Sequence, residues 1–88
     1  MAQTPQAVEQ AIYAKVVELA RALGKDARPL QPDQVIPQTG WLDSAGLMEL
    51  MLWIEATYDL EIPQEDFTLD NFGTLYAMSG YLHKAGKA

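Results

Sequence analysis

Apolar residues recur along the first quarter of the chain at steps of four and three: Val8, Ile12, Val16, Leu19 and Leu23. That spacing marks an amphipathic helix with one buried face. Thr4 suits the N-cap, Pro5 the first helical position and Gly24 a left-handed close, so the pattern predicts a helix over 5–23. A second run, residues 44–58, has no proline and is rich in Leu, Met, Glu and Ala, all good helix formers. Asp43 precedes it as a strong N-cap candidate. Leu47, Leu50, Met51, Ile54 and Tyr58 fall on one face and are its expected core. Ala45, Met48 and Leu52 lie toward another side. Gly73-Thr74 opens a last helix, capped by Thr74, with Leu75, Met78, Tyr81 and Leu82 as its buried stripe.

The connections differ in kind. Residues 25–42 hold Pro29, Pro32 and Pro37, which rule out a long regular helix. Leu30, Val35, Ile36, Trp41 and Leu42 are nonetheless apolar, so this stretch is expected to pack over the bundle as an ordered connection with room for one short helical turn. Ile62-Pro63 ends the second helix region. Residues 65–71 suffice only for a short helix or turn, anchored by Phe67 and Phe72. No alternating strand pattern and no repeat occurs. The expectation is an all-α bundle of three main helices plus one short one, a single domain spanning 1–88 with an ordered core of about 5–83 and a loose tail.

Size and charge narrow the function classes. With 88 residues and no cysteine, the chain has neither disulfides nor thiolate metal ligands to reinforce a small core. The N-terminus lacks a signal-peptide pattern, and no apolar stretch approaches the roughly 20 residues needed to cross a bilayer. A cytoplasmic protein without membrane attachment is expected, acting as a monomer. All six Lys and Arg lie before Pro29 or after His83, while nine of the twelve acids fall between those two positions. Such a surface repels phosphate backbones, which argues against nucleic-acid binding and favours basic partner surfaces; the same acids also serve simple solubility.

Ser44 follows directly on the Asp43 cap. A hydroxyl there faces unpaired backbone N–H groups and the positive end of the helix dipole, and a phosphate ester would be stabilised by both. Serine is also common in first turns without any further role. The stretches that accompany it are more specific as a set: Leu42-Asp43-Ser44, Met48-Glu49-Leu50, Ile54-Glu55, Tyr58-Asp59, Glu61-Ile62-Pro63, Glu65-Asp66-Phe67 and Asn71-Phe72-Gly73-Thr74-Leu75. In this order and spacing, from about Gly40 to Leu82, the chain resembles the phosphopantetheine-bearing acyl and peptidyl carrier proteins.

That resemblance implies a carrier and not a catalyst. It implies that a phosphopantetheinyl transferase attaches 4′-phosphopantetheine covalently to Ser44, that Asp43 caps the helix and assists the transfer, and that an acyl or aminoacyl cargo is held on the arm as a thioester. It further implies partners that load the cargo, an adenylating ligase or an acyltransferase, and downstream synthases that take it. Carried over position by position, the partner surface is Ala45, Met48, Glu49, Leu52 and Glu55, with Met48 and Leu52 as an apolar centre inside a charged rim; extra core is the other reading of these two. The chain departs from the fatty-acid pattern at Ala45, Gly46, Trp53 and Ala56. Gly-x-Leu-Asp-Ser-x-Gly stands closer to standalone carriers of amino acids, which points to a dedicated acyl or aminoacyl carrier of polyketide, nonribosomal peptide or related secondary metabolism. The alternative from a different class is an acidic helical interaction module without the prosthetic group.

Two other constellations are weak. His83 with Ser44 and an aspartate lacks the nucleophile elbow and oxyanion loop of a hydrolase. Asp66 and Asp70 lack the alternating oxygen ligands and central glycine of a calcium loop. No catalytic or metal-ligating residue is therefore expected.

Overall fold

The computed structural model describes residues 4–87. Helix α1 runs over Pro5–Ala22, and the Thr4 hydroxyl accepts the Ala7 N–H (3.1 Å) at its start. Val8, Ile12, Val16, Leu19 and Ala20 form its buried face. Leu23, placed by periodicity on that stripe, is instead the C-cap and is exposed. Its N–H turns back to the Ala20 carbonyl (2.9 Å), and Gly24 at φ +75° takes the chain away from the bundle before another helical turn can form.

The proline-bearing connection is stapled at several points. Tyr13 on α1 donates its hydroxyl to the Arg28 carbonyl (2.7 Å), and Tyr76 donates its N–H to the Pro32 carbonyl (3.1 Å). Ala27, Leu30, Ile36 and Leu42 are buried in the common core. The expected short turn is α2, Ile36–Thr39. Ile36 is fully buried and donates its N–H to the Gly73 carbonyl (2.8 Å); burying such a side chain contributes about 1.5–3 kcal/mol. One residue thus fastens the middle of the loop to the chain at Gly73.

Helix α3 covers Ser44–Tyr58 and closes at Asp59, which adopts the left-handed conformation at φ +53°. A 3₁₀ turn over Gln64–Asp66 follows, then the single-turn helix α4, Leu69–Phe72, and finally α5, Leu75–Lys84. The all-α bundle with three main helices is as expected. The one short helix anticipated over 65–71 is divided in two, because Thr68 is extended (φ −125°, ψ 160°) and its hydroxyl caps the following turn through the Asn71 N–H (3.2 Å). Thr74 caps α5 in the same way, accepting the Ala77 N–H (3.0 Å).

Helix α1 packs against both α3 and α5, and α4 lies on α5. Three further positions differ from the periodic reading. Leu47 and Tyr81 are half-buried, and Phe67 is exposed while Phe72 supplies the anchor. Leu47 and Phe67 border an open hollow between α3 and the segment after it.

Candidate functional site

The site begins with the way α3 is started. Gly40 closes α2 at φ +77°, a left-handed conformation that glycine adopts without cost. Lys25 donates its ammonium to the Gly40 carbonyl (2.6 Å), and the Thr39 hydroxyl accepts the Trp41 N–H (3.2 Å). Leu42 is buried and pins the chain one residue further on. Asp43 then stands extended (φ −89°, ψ −177°), its Oδ1 accepting the Gly46 N–H at 2.7 Å and its carbonyl accepting the Leu47 N–H at 2.9 Å.

Gly46 belongs to this cap. A Cβ at that position would stand 3.2 Å from Asp43 Oδ1 and 3.5 Å from the Leu42 side chain. A glycine that weakens the helix by propensity therefore lets the capping carboxylate and the buried Leu42 close over the first turn. The Ser44 and Ala45 side chains remain exposed. Among the described residues, the N–H groups of Ser44 and Ala45 have no protein acceptor and the Ser44 hydroxyl has no hydrogen bond. An anionic ester on Ser44 Oγ would meet those two donors and the positive end of a 15-residue helix. The residues present fit a phosphopantetheine ester at this serine.

The remaining candidates divide. Ala45, Met48, Glu49 and Leu52 share the outer face of α3, with Met48 and Leu52 each 57% exposed. That exposure excludes the extra-core reading of the two apolar residues. Glu55 is half-buried, and its Oε2 accepts the Ile62 N–H at 2.9 Å. Its carboxylate ties the end of α3 to the Ile62-Pro63 turn, an intramolecular task that the helical spacing alone does not reveal. His83 is exposed in the last turn of α5. Among the described residues no cluster of three His, Cys, Asp or Glu could hold a metal ion, and no helix is long and apolar enough to cross a membrane.

Sequence reasoning missed a hollow of about 220 Å³ beside α3, lined by Pro37, Leu47, Met51, Phe67, Thr68, Leu69 and Phe72. Leu47 and Met51 lie one and two turns along α3 from Ser44, on the inner side of the helix. Leu69 is 59% exposed at the rim. A larger hollow of about 370 Å³ among Arg21, Lys25, Asp26 and Arg28 is ringed by charged side chains instead. The signal available in the sequence was the pair Phe67 and Leu69, two apolar residues in a stretch too short to bury them.

Comparison with known proteins supplies the family. Residues 16–82 match the family model described as phosphopantetheine attachment site. The chain is similar to an acyl carrier protein of Bdellovibrio bacteriovorus, 34% identical over 84 residues that cover 89% of this chain and 99% of that protein. It is also similar to aminoacyl carrier protein 2 of Bradyrhizobium diazoefficiens, 49% identical over 37 residues that cover 42% of each chain. No solved structure matches the chain with significance. The protein belongs to the phosphopantetheine-attachment family of carrier proteins, and its prosthetic group is 4′-phosphopantetheine.

Proposed function

We propose that Ser44 is the attachment residue and that the protein carries an acyl or aminoacyl group between enzymes of a dedicated biosynthetic route. The observation that supports this most directly is the exposed Ser44 hydroxyl at the capped start of α3, next to two unpaired N–H donors. When bound, the arm supplies a terminal thiol on which the cargo is held as a thioester. Attachment forms one bond from Ser44 Oγ to the phosphorus of coenzyme A's pantetheine phosphate, with loss of the hydroxyl proton and departure of the nucleotide portion. The transferase that catalyses it acts on this exposed end of the helix. Asp43 holds the first turn in place and keeps the serine at the front of it.

Met48 and Leu52, with Glu49 beside them, form the surface offered to the transferase, to the loading enzyme and to the enzymes that receive the cargo. Short-lived contacts suit an apolar centre of two side chains with acids around it. The apolar hollow between α3 and residues 67–72 is the seat for a cargo group that folds back along the helix. The thioester requires an activating reaction upstream: an adenylating ligase for an amino acid, or an acyltransferase for an acyl group. Ala45, Gly46 and Trp53 favour the aminoacyl or specialised acyl cargo.

The deciding experiment is incubation with coenzyme A and a broad-specificity phosphopantetheinyl transferase, read by intact mass. One arm per molecule is expected, with none on Ser44→Ala. The parent chain has no cysteine, so a thiol titration rises from none to one. A wild-type chain that gains no mass while a control carrier is loaded overturns the assignment. Met48→Ala and Leu52→Ala are expected to slow loading and transfer while leaving the fold intact.

A further inference from the structure

Phe67, Thr68 and Leu69 form one wall of the hollow, and the segment that carries them, residues 63–71, contributes little that would hold it there. Ile62 and Phe72, at the two ends, are buried; Phe67 and Leu69 between them are exposed. The two helical pieces are three and four residues long, too short to be stable by themselves. Among the described residues, one side-chain hydrogen bond fastens the middle of the wall to α5: Tyr81 donates its hydroxyl to Asp66 Oδ2 at 2.7 Å. Asp66 also joins the two pieces, its carbonyl accepting the Asn71 side-chain amide at 2.9 Å. The Tyr81 ring packs on Phe72 at 4.8 Å between centroids, and Phe72 on Phe67 at 5.9 Å. Tyr81 therefore holds the wall at its middle and at its C-terminal end.

We propose that the Tyr81–Asp66 hydrogen bond is a latch that holds residues 63–71 against the open hollow, and that its release widens the hollow enough to seat an apolar cargo group beside α3. This rests on the reading of the hollow as the cargo seat. Asp66 immediately precedes Phe67, so a displacement of Asp66 carries Phe67 and then Thr68 and Leu69 with it, and these three line the hollow. Ile62 and Phe72 act as fixed ends, which confines the motion to the residues between them. A phenol-to-carboxylate bond is charge-assisted and stronger than a neutral one, but here both partners are half-buried. The latched state is thereby favoured without being locked. Asp66 and Tyr81 are positioning residues, acting on the cargo through Phe67 and Leu69.

Amide hydrogen exchange of the apo protein reads the latch without any cargo. The Phe67 N–H is bonded to the Gln64 carbonyl (3.1 Å) and the Phe72 N–H to the Thr68 carbonyl (2.9 Å), so both amides report opening of the wall. In Tyr81→Phe they are expected to exchange about fivefold faster, the factor for losing one partly sheltered hydrogen bond, while the amides of α1 keep their rates. Asp66→Asn retains an acceptor oxygen and falls between; Tyr76→Phe, an exposed tyrosine on the same helix, changes nothing. Unchanged exchange at Phe67 and Phe72 in Tyr81→Phe overturns the latch and leaves the cargo seat standing.

A second measurement uses Ser44 loaded with an arm that carries an octanoyl group through a stable amide. The methyl signals of Leu47, Met51 and Leu69 are expected to shift relative to an acetyl-loaded control, and the seated and unseated states to interconvert several-fold faster in Tyr81→Phe. Faster wall exchange with unaltered interconversion overturns the gating role. Absence of any methyl shift in the loaded wild type removes the cargo seat, and the gating role with it, independently of the apo result.

Discussion

Gly73 and Gly80 lie seven residues apart, and the same substitution at each is expected to act with opposite sign. Gly73 has φ −78° and ψ −25°, ordinary right-handed values open to any residue. Its requirement is steric. A Cβ there would stand 2.5 Å from the Leu69 carbonyl oxygen and 3.2 Å from the Leu69 carbonyl carbon. That oxygen accepts the Gly73 N–H (2.8 Å), and the Gly73 carbonyl accepts the N–H of fully buried Ile36 (2.8 Å). Relief of the contact must move backbone, which strains α4 and weakens one or both of those bonds. A forced shift in a packed region costs about 1–3 kcal/mol and each weakened bond about 1 kcal/mol. Reduced freedom of the unfolded chain returns roughly 0.4–1 kcal/mol.

The net expectation for Gly73→Ala is a loss of about 2–3 kcal/mol, a large share of the 5–15 kcal/mol typical of native domains. At Gly80, inside α5, an added Cβ meets nothing within 4 Å. Gly80→Ala is therefore expected to gain about 0.5–1 kcal/mol from helix propensity. Urea unfolding followed by circular dichroism measures both, with the midpoint moving and the slope constant. In a thermal melt Gly73→Ala should fall by roughly 10–20 °C, from about 4–8 °C per kcal/mol for a domain of this size. A Gly73→Ala variant as stable as the parent, or two variants shifted in the same direction, would refute the steric reasoning.

Asp43→Ala removes the side-chain acceptor of the Gly46 N–H and should cost about 1 kcal/mol in a melt, with Asp43→Asn close to the parent; the alanine variant should also accept the arm more slowly by intact mass. The forked Arg28 pair and the Arg28 backbone N–H hold the Asp26 carboxyl down at about 2. Because this pKa is depressed on folding, its contribution is present above the ordinary value of 3.8 and lost as pH falls through about 2. Carboxyl NMR titration should find Asp26 near 2 and returned toward its ordinary range in Arg28→Ala. The hydrogen bond to Asp66, with lesser help from desolvation, pushes the Tyr81 phenol up to about 12, and burial raises Tyr58. A raised phenol contributes stability that is full below 10 and lost as pH rises through about 12, so an ultraviolet titration should show two late-ionising phenols, of which Tyr81→Phe removes one and leaves Tyr58.

Tyr58 shows a related constraint. It is 6% exposed, its ring meets Trp53 edge-on at 6.1 Å, and among the described residues its buried hydroxyl has no hydrogen-bond partner. An unpaired buried hydroxyl costs about 1–3 kcal/mol. Its place on the apolar face of α3 was legible from spacing; that its polar tip would be left unpaired was not, because that depends on which side chains the bundle brings around it.

The sequence by itself determined the helices, their caps and the serine. Thr4, Asp43 and Thr74 each accept the N–H three residues on, as their types and positions implied. The steps of three and four named most of the core, since a helix converts local spacing directly into a face. Leu23, Leu47 and Phe67 departed from that reading because burial is decided by whether a neighbouring element covers a residue, and none fully covers these three. The apolar hollow, the Glu55–Ile62 tie and the Tyr81–Asp66 bond were likewise beyond local reading. Tyr81 and Asp66 lie fifteen residues apart, with one short helix, two threonine caps and the start of α5 between them. Only the packing of α4 on α5 sets their separation, and hydrogen bonds form or fail within a few tenths of an ångström.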